Sequence, residues 1–364
     1  MGLLKKIGFF SAFILPTLAV VGYYLGGAWN YLTVIFAFIM IPLIDAVVGK
    51  DRENIEESQV KLISAEQYYR FITFIWTLVQ VGIVVWGAYI VSTATLTRTE
   101  WWGLVLSIMT VTGGIGITVA HELGHKNNNL EQWLAKLNLM TVCYMHFFIE
   151  HNRGHHVHVA TPKDPATSRR NESFYAFWVR SVFGGFISAW QIEKNRLLKK
   201  KKAVWSLENQ MIGFILLPVL FCAFLTLGGS LLKGSFAWEV PVFFFTQSLF
   251  AFTLLELVNY IEHYGIVRKQ LDNGRYERVN PLHSWNANHL VSNFFLFQLQ
   301  RHSDHHANAT RRYHVLRHFD ESPQLPHGYP MMVLIALVPP LWFALMNRRL
   351  EHWEKERGLQ LGVQ

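Results

Sequence analysis

Charge is scarce in this sequence. Asp, Glu, Lys and Arg make up 16% of its 364 residues, against about 25% in an ordinary soluble domain. That deficit excludes the soluble globular class and leaves the membrane class, since long uncharged runs take the place of charged surface. Cysteine is scarcer still. Cys143 and Cys222 are the two, far apart and outside any C-x-x-C pair. A disulfide framework, a cysteine-ligated metal site and an iron–sulfur or rubredoxin-type module within the chain are thereby excluded. Histidine is absent from residues 1–120, although 17 follow. The net charge of +8 does not point to nucleic acid. No binding motif accompanies it, and the basic residues flank apolar runs, as membrane topology requires.

What is there is hydrophobic length. A helix crossing ~30 Å of hydrocarbon needs roughly 20 apolar residues. Six runs qualify: 7–25, 29–44 after a Gly-Gly-Ala turn, 71–97, 101–120, 209–232 and 240–255, the last continuing through Glu256 toward His263. The start, with Lys5 and Lys6, resembles a signal peptide. A second apolar run follows at once, so the first is read as a retained span. With the N-terminus inside, the outer loops hold only Arg98 and Lys233 of the 33 Lys and Arg. The inner side takes the rest, including Lys199, Lys200, Lys201 and Lys202, which satisfies the positive-inside rule.

A seventh run, 328–347, contains Pro339 and Pro340, which break a spanning helix. Spanning would also put Arg348, Arg349, Lys355 and Arg357 outside, so it is expected to pack at the inner face. Residues 174–192, interrupted by Arg180, Gly184 and Gly185, read as interfacial. The expected fold is an all-α membrane protein, six transmembrane helices with a cytoplasmic helical cap holding a histidine-rich dimetal site. Residues 1–120 carry spans one to four. Residues 121–208 form a cytoplasmic segment with the first two histidine motifs. Residues 209–263 carry spans five and six, and 264–364 form a cytoplasmic C-terminal segment with the last motif.

The histidines cluster. HELGHK holds His121 and His125 in the H-E-x-x-H pattern of zinc metalloproteases, with Glu122 in the place of a general base. EHNRGHH holds His151, His155 and His156, NYIEHYG holds His263, and LQRHSDHH holds His302, His305 and His306. All four groups map to the inner side. His121 and His125, His151 and His155, and His302 and His306 are i, i+4 pairs, and His305 lies at i+3 from His302. On α-helices, such spacing presents two or three imidazoles to one point. Nine imidazoles exceed one zinc site and match two metals with four or five each. Imidazole suits iron, copper and zinc alike, so the ligands leave the element open. Lone histidines are usually structural or solvated. His146, His314, His318, His327 and His352 are read so, with His158, His283 and His289 intermediate.

Polar residues accompany the motifs: Glu122, Glu150, Glu256, Glu262, Asp304 and Asn259. Ligating histidines usually give their other N–H to a carboxylate or carbonyl, and these residues are expected in that role. Glu256 is the most telling, because a carboxylate in the apolar part of a helix is expensive and often functional. Glu150 fits a solvated charge equally well. Gly113, Gly114 and Gly116 in the fourth run allow close helix packing or leave room for a channel, and the sequence does not decide between these.

Together HELGHK, EHNRGHH, NYIEHYG and LQRHSDHH resemble the signature of the integral-membrane alkane 1-monooxygenases, and the six-span layout extends the resemblance over nearly the whole chain. Looser forms of the first, second and last motifs occur in membrane fatty-acid desaturases and hydroxylases. NYIEHYG and LQRHSDHH narrow the match to the alkane and xylene hydroxylase branch. The resemblance implies two non-haem irons held by the nine histidines, O₂ as co-substrate, and hydroxylation of the terminal methyl of a medium- or long-chain n-alkane. It implies electrons from rubredoxin, reduced by an NADH-dependent reductase. It also implies a bacterial inner (cytoplasmic) membrane location, with both termini and the metal site on the cytoplasmic side. Three other functions compete. A zinc peptidase explains HELGHK but leaves six histidines idle. A metal carrier should bind near the midplane of its spans, not at their inner ends. A fatty-acyl desaturase or hydroxylase shares fold and metal but differs in substrate and electron donor.

Overall fold

The computed structural model describes residues 3–356 and residue 358; Arg357 lies outside the described residues. Among them are six helices long and apolar enough to cross a membrane: Lys5–Leu25, Gly27–Val48, Gln67–Thr93, Arg98–Gly124, Gln210–Lys233 and Glu239–His263. The first two meet at Gly26 and Gly27, whose φ values of 76° and 54° suit glycine because a Cβ would strain there.

Two ends differ from the sequence expectation, each for a local reason. The third span stops at Thr93, not Thr97, because Thr97 is the N-cap of the fourth. The Thr97 hydroxyl accepts from the Glu100 amide at 3.3 Å, and the Glu100 carboxylate accepts from the Thr97 amide at 2.9 Å, a reciprocal cap. The fourth span runs on to Gly124, so His121 sits inside the helix instead of after it.

The segment after that span is the main departure from a cap lying wholly below the bundle. The helix Asn129–Met140 inserts among the spans. Its C-terminal carbonyls, which a helix cannot satisfy itself, are met by glutamines from two spans. Gln80 Nε2 donates to the Asn138 carbonyl at 3.1 Å and to Thr141 Oγ1 at 2.8 Å. Gln247 Nε2 donates to the Thr141 carbonyl at 2.8 Å. Gln80 and Gln247 are fully buried. Irregular backbone at membrane depth is tolerated where protein groups satisfy it in this way. The chain then returns through Tyr144 toward the second histidine motif.

The C-terminal part covers the histidine end of the bundle. The 328–347 run is broken into Tyr329–Ala336 and Pro339–Glu356, as its proline pair predicts, with Pro339 opening the second helix. Trp342 packs on Tyr260 and Tyr264 at ring-centroid distances of 5.0 and 5.3 Å, fixing that helix to the sixth span. The buried Asp45 carboxylate accepts the amides of Val291 and Ser292 at 3.0 and 3.1 Å, tying the second span to the same cap. The 174–192 stretch lies within one helix, Phe174–Lys199.

Candidate metal centre

Nine histidine side chains converge from the four motifs, but not in the pairs that α-helical spacing suggests. One group holds His121, His125, His151, His156 and His305; the other holds His155, His263, His302 and His306. Within each group, one candidate ligand atom per residue lies within 4.8 Å of every other. The cause is a turn of π-helix at His151–His155. Its wider pitch pairs residues five apart, so His151 joins His156 and His155 turns to the other group. In the last motif His302 stays with its i+4 partner His306, and His305 crosses over.

The spacing of the nitrogens tests whether metal ions fit. His151 and His305 Nε2 each stand 3.1 Å from His156 Nε2. His155–His306 and His263–His302 Nε2 pairs are 3.3 Å apart, and His302–His306 is 2.8 Å. Two nitrogens each ~2.1 Å from a shared ion would be about 3.0 Å apart at a right angle and about 3.4 Å apart tetrahedrally. Four of these five distances fall between those values, and His302–His306, at 2.8 Å, is slightly shorter. Meanwhile His121 Nε2 and His125 Nε2 are buried with no hydrogen-bond partner among the described residues, an unusual cost that a ligand role removes. The residues present fit a pair of metal ions.

Electrostatics agrees. Burial holds His125, His151, His156, His302, His305 and His306 well below the usual imidazole value, so they are neutral, the form that ligates. His155 differs. Burial opposes its charge, but the Asp164 carboxylate raises its pKa. His155 Nδ1 donates to Asp164 Oδ2 at 2.8 Å, and Asp164 is fixed by Thr167 Oγ1 at 2.5 Å and the Ala166 amide at 3.0 Å. This carboxylate–histidine pair leaves His155 Nε2 facing His306 and the rest of its group. Sequence reasoning missed Asp164. It lies in a loop beyond the motif, and no helical spacing links it to His155.

The expected polar partners take varied places. Glu262 Oε2 is 3.1 Å from His302 Nε2, and its Oε1 accepts from the Tyr329 hydroxyl at 2.8 Å. Glu256 accepts from the Tyr144 hydroxyl at 2.8 Å and Asn259 at 3.3 Å. Glu122 pairs with Lys126 at 3.0 Å, and Lys126 reaches the carbonyls of Thr310 and Arg311, so it links the first motif to the loop after the last. Asp304 is engaged by Arg311 at 3.0 Å, by Asn308 and by the Arg317 amide. Glu150 is buried, not solvated. Of the lone histidines, His314 stacks on Tyr69 with centroids 3.6 Å apart, His318 binds Asp320, and His352 is exposed beside Glu356. None of these joins either group.

Two small cavities lie between the spans on the way to the nitrogens. A cavity of about 50 Å³ lies between spans one, two, four and six, against Leu15, Ala37, Ile115 and Leu254. A second, of about 20 Å³, touches His121, His151 and His302. Both are lined by Gly114 and Val258.

Six spans closing on two buried histidine groups define an integral-membrane protein of the histidine-motif metalloprotein class. The fatty acid desaturase family model matches residues 99–336, which include all nine histidines. The chain is 47% identical to alkane 1-monooxygenase 2 of Pseudomonas aeruginosa over 92% of its own length and 87% of that protein. It is 44% identical to alkane 1-monooxygenase 2 of Alcanivorax borkumensis, over 96% and 91%. It is 27% identical to the xylene/toluene monooxygenase hydroxylase component of Pseudomonas putida, over 94% and 88%. The chain belongs to the alkane 1-monooxygenase family.

Proposed function

We propose that this protein is a di-iron monooxygenase that converts n-alkanes to 1-alkanols with O₂ and electrons from rubredoxin. The observation that carries the reading is the pairing of a five- and a four-histidine group with two cavities between the spans, an apolar one and a smaller one that touches His121, His151 and His302. Iron held by the two groups would supply the activation of O₂.

The chain's own residues supply the rest. An alkane has no polar handle, so its binding is desolvation, ~0.8 kcal/mol per buried CH₂. Leu15, Ala37, Ile115 and Leu254 offer an apolar wall to such a chain, and its end would pass Gly114 and Val258, which line both cavities, toward His121, His151 and His302. Substrate dissolved in the bilayer reaches that cavity without crossing water. Asp164 holds the His155 ring in the tautomer that turns Nε2 to the metal. Glu122, paired with Lys126, ties segments together and does not serve as a peptidase base.

The absence of a C-x-x-C pair fits an external one-electron donor, rubredoxin, reduced by its NADH-dependent reductase. The charge pattern, with Arg98 and Lys233 alone among Lys and Arg at the far end, supports a cytoplasmic histidine end in the bacterial inner membrane. The fatty acid desaturase match keeps a fatty-acyl desaturase or hydroxylase as the second reading. Purified protein supplied with iron, rubredoxin, reductase and NADH should yield primary alcohols from n-alkanes. Desaturated or hydroxylated acyl products, with no alkanol, would favour the second reading. Metal analysis finding one zinc per chain, with proteolysis, would remove both.

A further inference from the structure

Beside the five-histidine group lies a buried polar cluster that metal ligation does not use. Glu256, in the sixth span, is 2% exposed. Its Oε1 accepts from Tyr144 and Asn259, while Oε2 takes no hydrogen bond from the described residues. The carboxyl lines a cavity of about 10 Å³ with Ser181, Glu150, His146 and His151. That is the scale of one water molecule, which needs about 10–15 Å³ and two or more polar partners. Asn259, Phe147 and His151 line both this cavity and the one that touches His121 and His302. Glu256 is therefore separated by one residue, Asn259, from the space the proposed reaction uses.

The groups around Glu256 are named by element. Tyr144, His146, Glu150 and His151 come from the return segment, Ser181 from the helix Phe174–Lys199, and Asn259 from its own helix. His155 acts on it electrostatically. Burial holds His146 down at about 4 and His151 well below the usual value, so both are neutral. An ionised carboxylate in this setting is costly. A protonated one is not. The Ser181 hydroxyl also bears on the carboxyl, and Oε2, the oxygen that Tyr144 and Asn259 leave free, is the one that carries the proton.

We propose that Glu256 is a proton-relay residue, holding a proton on Oε2 and passing it, through a water in the Ser181 cavity and past Asn259, to the cavity lined by His121, His151 and His302. The inference rests on the monooxygenase reading. That reaction takes one alkane, one O₂, two electrons from the external donor and two protons, and gives one alkanol and one water. Glu256 supplies a proton to the oxygen atom that leaves as water. The carboxyl O–H bond breaks, the water O–H bond forms, and the carboxylate regains a proton from solvent. Tyr144 and Asn259 are positioning residues that hold Oε1.

Glu256→Gln keeps the size and the hydrogen bonds but cannot release the proton. The variant should insert and bind as much iron as the wild type. Alkanol formation should fall about 100-fold, with the delivered electrons diverted to hydrogen peroxide. The solvent-deuterium effect and pH profile of the wild type should disappear, and Glu256→Asp should recover part of the rate. A second readout needs no metal. In metal-free protein near neutral pH, the infrared difference between wild type and Glu256→Gln should contain the carbonyl stretch of a protonated carboxyl. Absence of that band overturns the proposal. So does wild-type coupling in Glu256→Gln, or loss of iron from it, which would make the role structural. If Glu256→Gln does not insert, Glu256→Asp carries the same comparisons. Failure of the wild type to hydroxylate any n-alkane would instead sink the monooxygenase reading, and the relay with it, even if the infrared band is present.

Discussion

His151 Nε2 stands 3.1 Å from His156 Nε2 across one π turn, while His155, their neighbour on the chain, faces the other histidine group. Adjacent residues thus serve different groups. The groups also differ in reserve, since one has five imidazoles and the other four. His263→Ala should leave three ligands, lose the metal from that group and abolish hydroxylation, with the protein still in the membrane. His125→Ala should leave four and keep about two metals per chain, because four nitrogens still hold an ion. Metal content per chain, measured side by side, checks this. Equal loss from the two variants would contradict the division into groups.

Asp164→Asn removes the charge that orients His155 but leaves the side chain's size. Changes to such hydrogen-bond partners cost roughly 10–100-fold in metal affinity. The loss should fall on the four-histidine group and spare the five-histidine one. Competition with a chelator would separate a weak site from an unchanged one. Two unchanged sites would show that Asp164 does not support ligation.

Much of this centre was legible in the sequence. The four motifs name all nine histidines that converge, because three of them repeat imidazoles at helical spacing and the fourth places His263 at the end of a span. The six spans follow from uncharged length alone, and the proline pair at Pro339 and Pro340 marks the break where it occurs. The partition of the histidines was hidden. A π turn is one residue wider than α spacing assumes, and nothing in EHNRGHH announces it. Asp164 was hidden because it reaches His155 through a loop. The inserted helix Asn129–Met140 was hidden because it falls in the 121–208 stretch read as a cytoplasmic segment. Asn138 is instead buried in the bundle, where its Nδ2 donates to Thr77 and its carbonyl accepts from Gln80.

Acid should destabilise the metal-free protein. In the unfolded chain imidazole titrates near ~6.5. The folded chain holds six of the clustered histidines below that value by burial, and it holds His146 and His289 down at about 4. Below about pH 6.5 the unfolded state therefore binds more protons, and stability falls as pH falls. His155, raised by Asp164 against its burial, works the other way. Its contribution is full below about pH 6.5 and fades as pH rises through the raised value. Glu150, raised by burial and by Asp164, also opposes the trend. Eight histidines outweigh these two groups, so Tm in detergent should drop between about pH 7 and about pH 5. Bound metal should move the drop to lower pH, because it binds the folded form alone. A Tm that is flat or rising toward acid would mean that the histidines are not held neutral.

The fourth-span glycines divide between the two roles the sequence left open. A Cβ at Gly113 would meet the Ala251 carbonyl oxygen at 2.6 Å and its Cα at 2.7 Å, both backbone atoms that cannot yield cheaply. At Gly116 it would run into the Gln80 side chain, the one that holds Asn138 and Thr141. At Gly114 the nearest atom is Leu254 Cδ2, at 3.7 Å, and the residue lines both cavities. Gly113→Ala should therefore destabilise the bundle by about 1–3 kcal/mol, as overpacking does, and lower activity on every alkane alike. Gly114→Leu should fold normally and fill the space where the two cavities share a wall. It should lose long n-alkanes first and keep the shortest, because only short chains then fit on the histidine side of residue 114. Thermal stability and product profiles over a series of chain lengths test the pair. If Gly114→Leu lowered all chain lengths equally, the path at residue 114 would not be the one substrate uses.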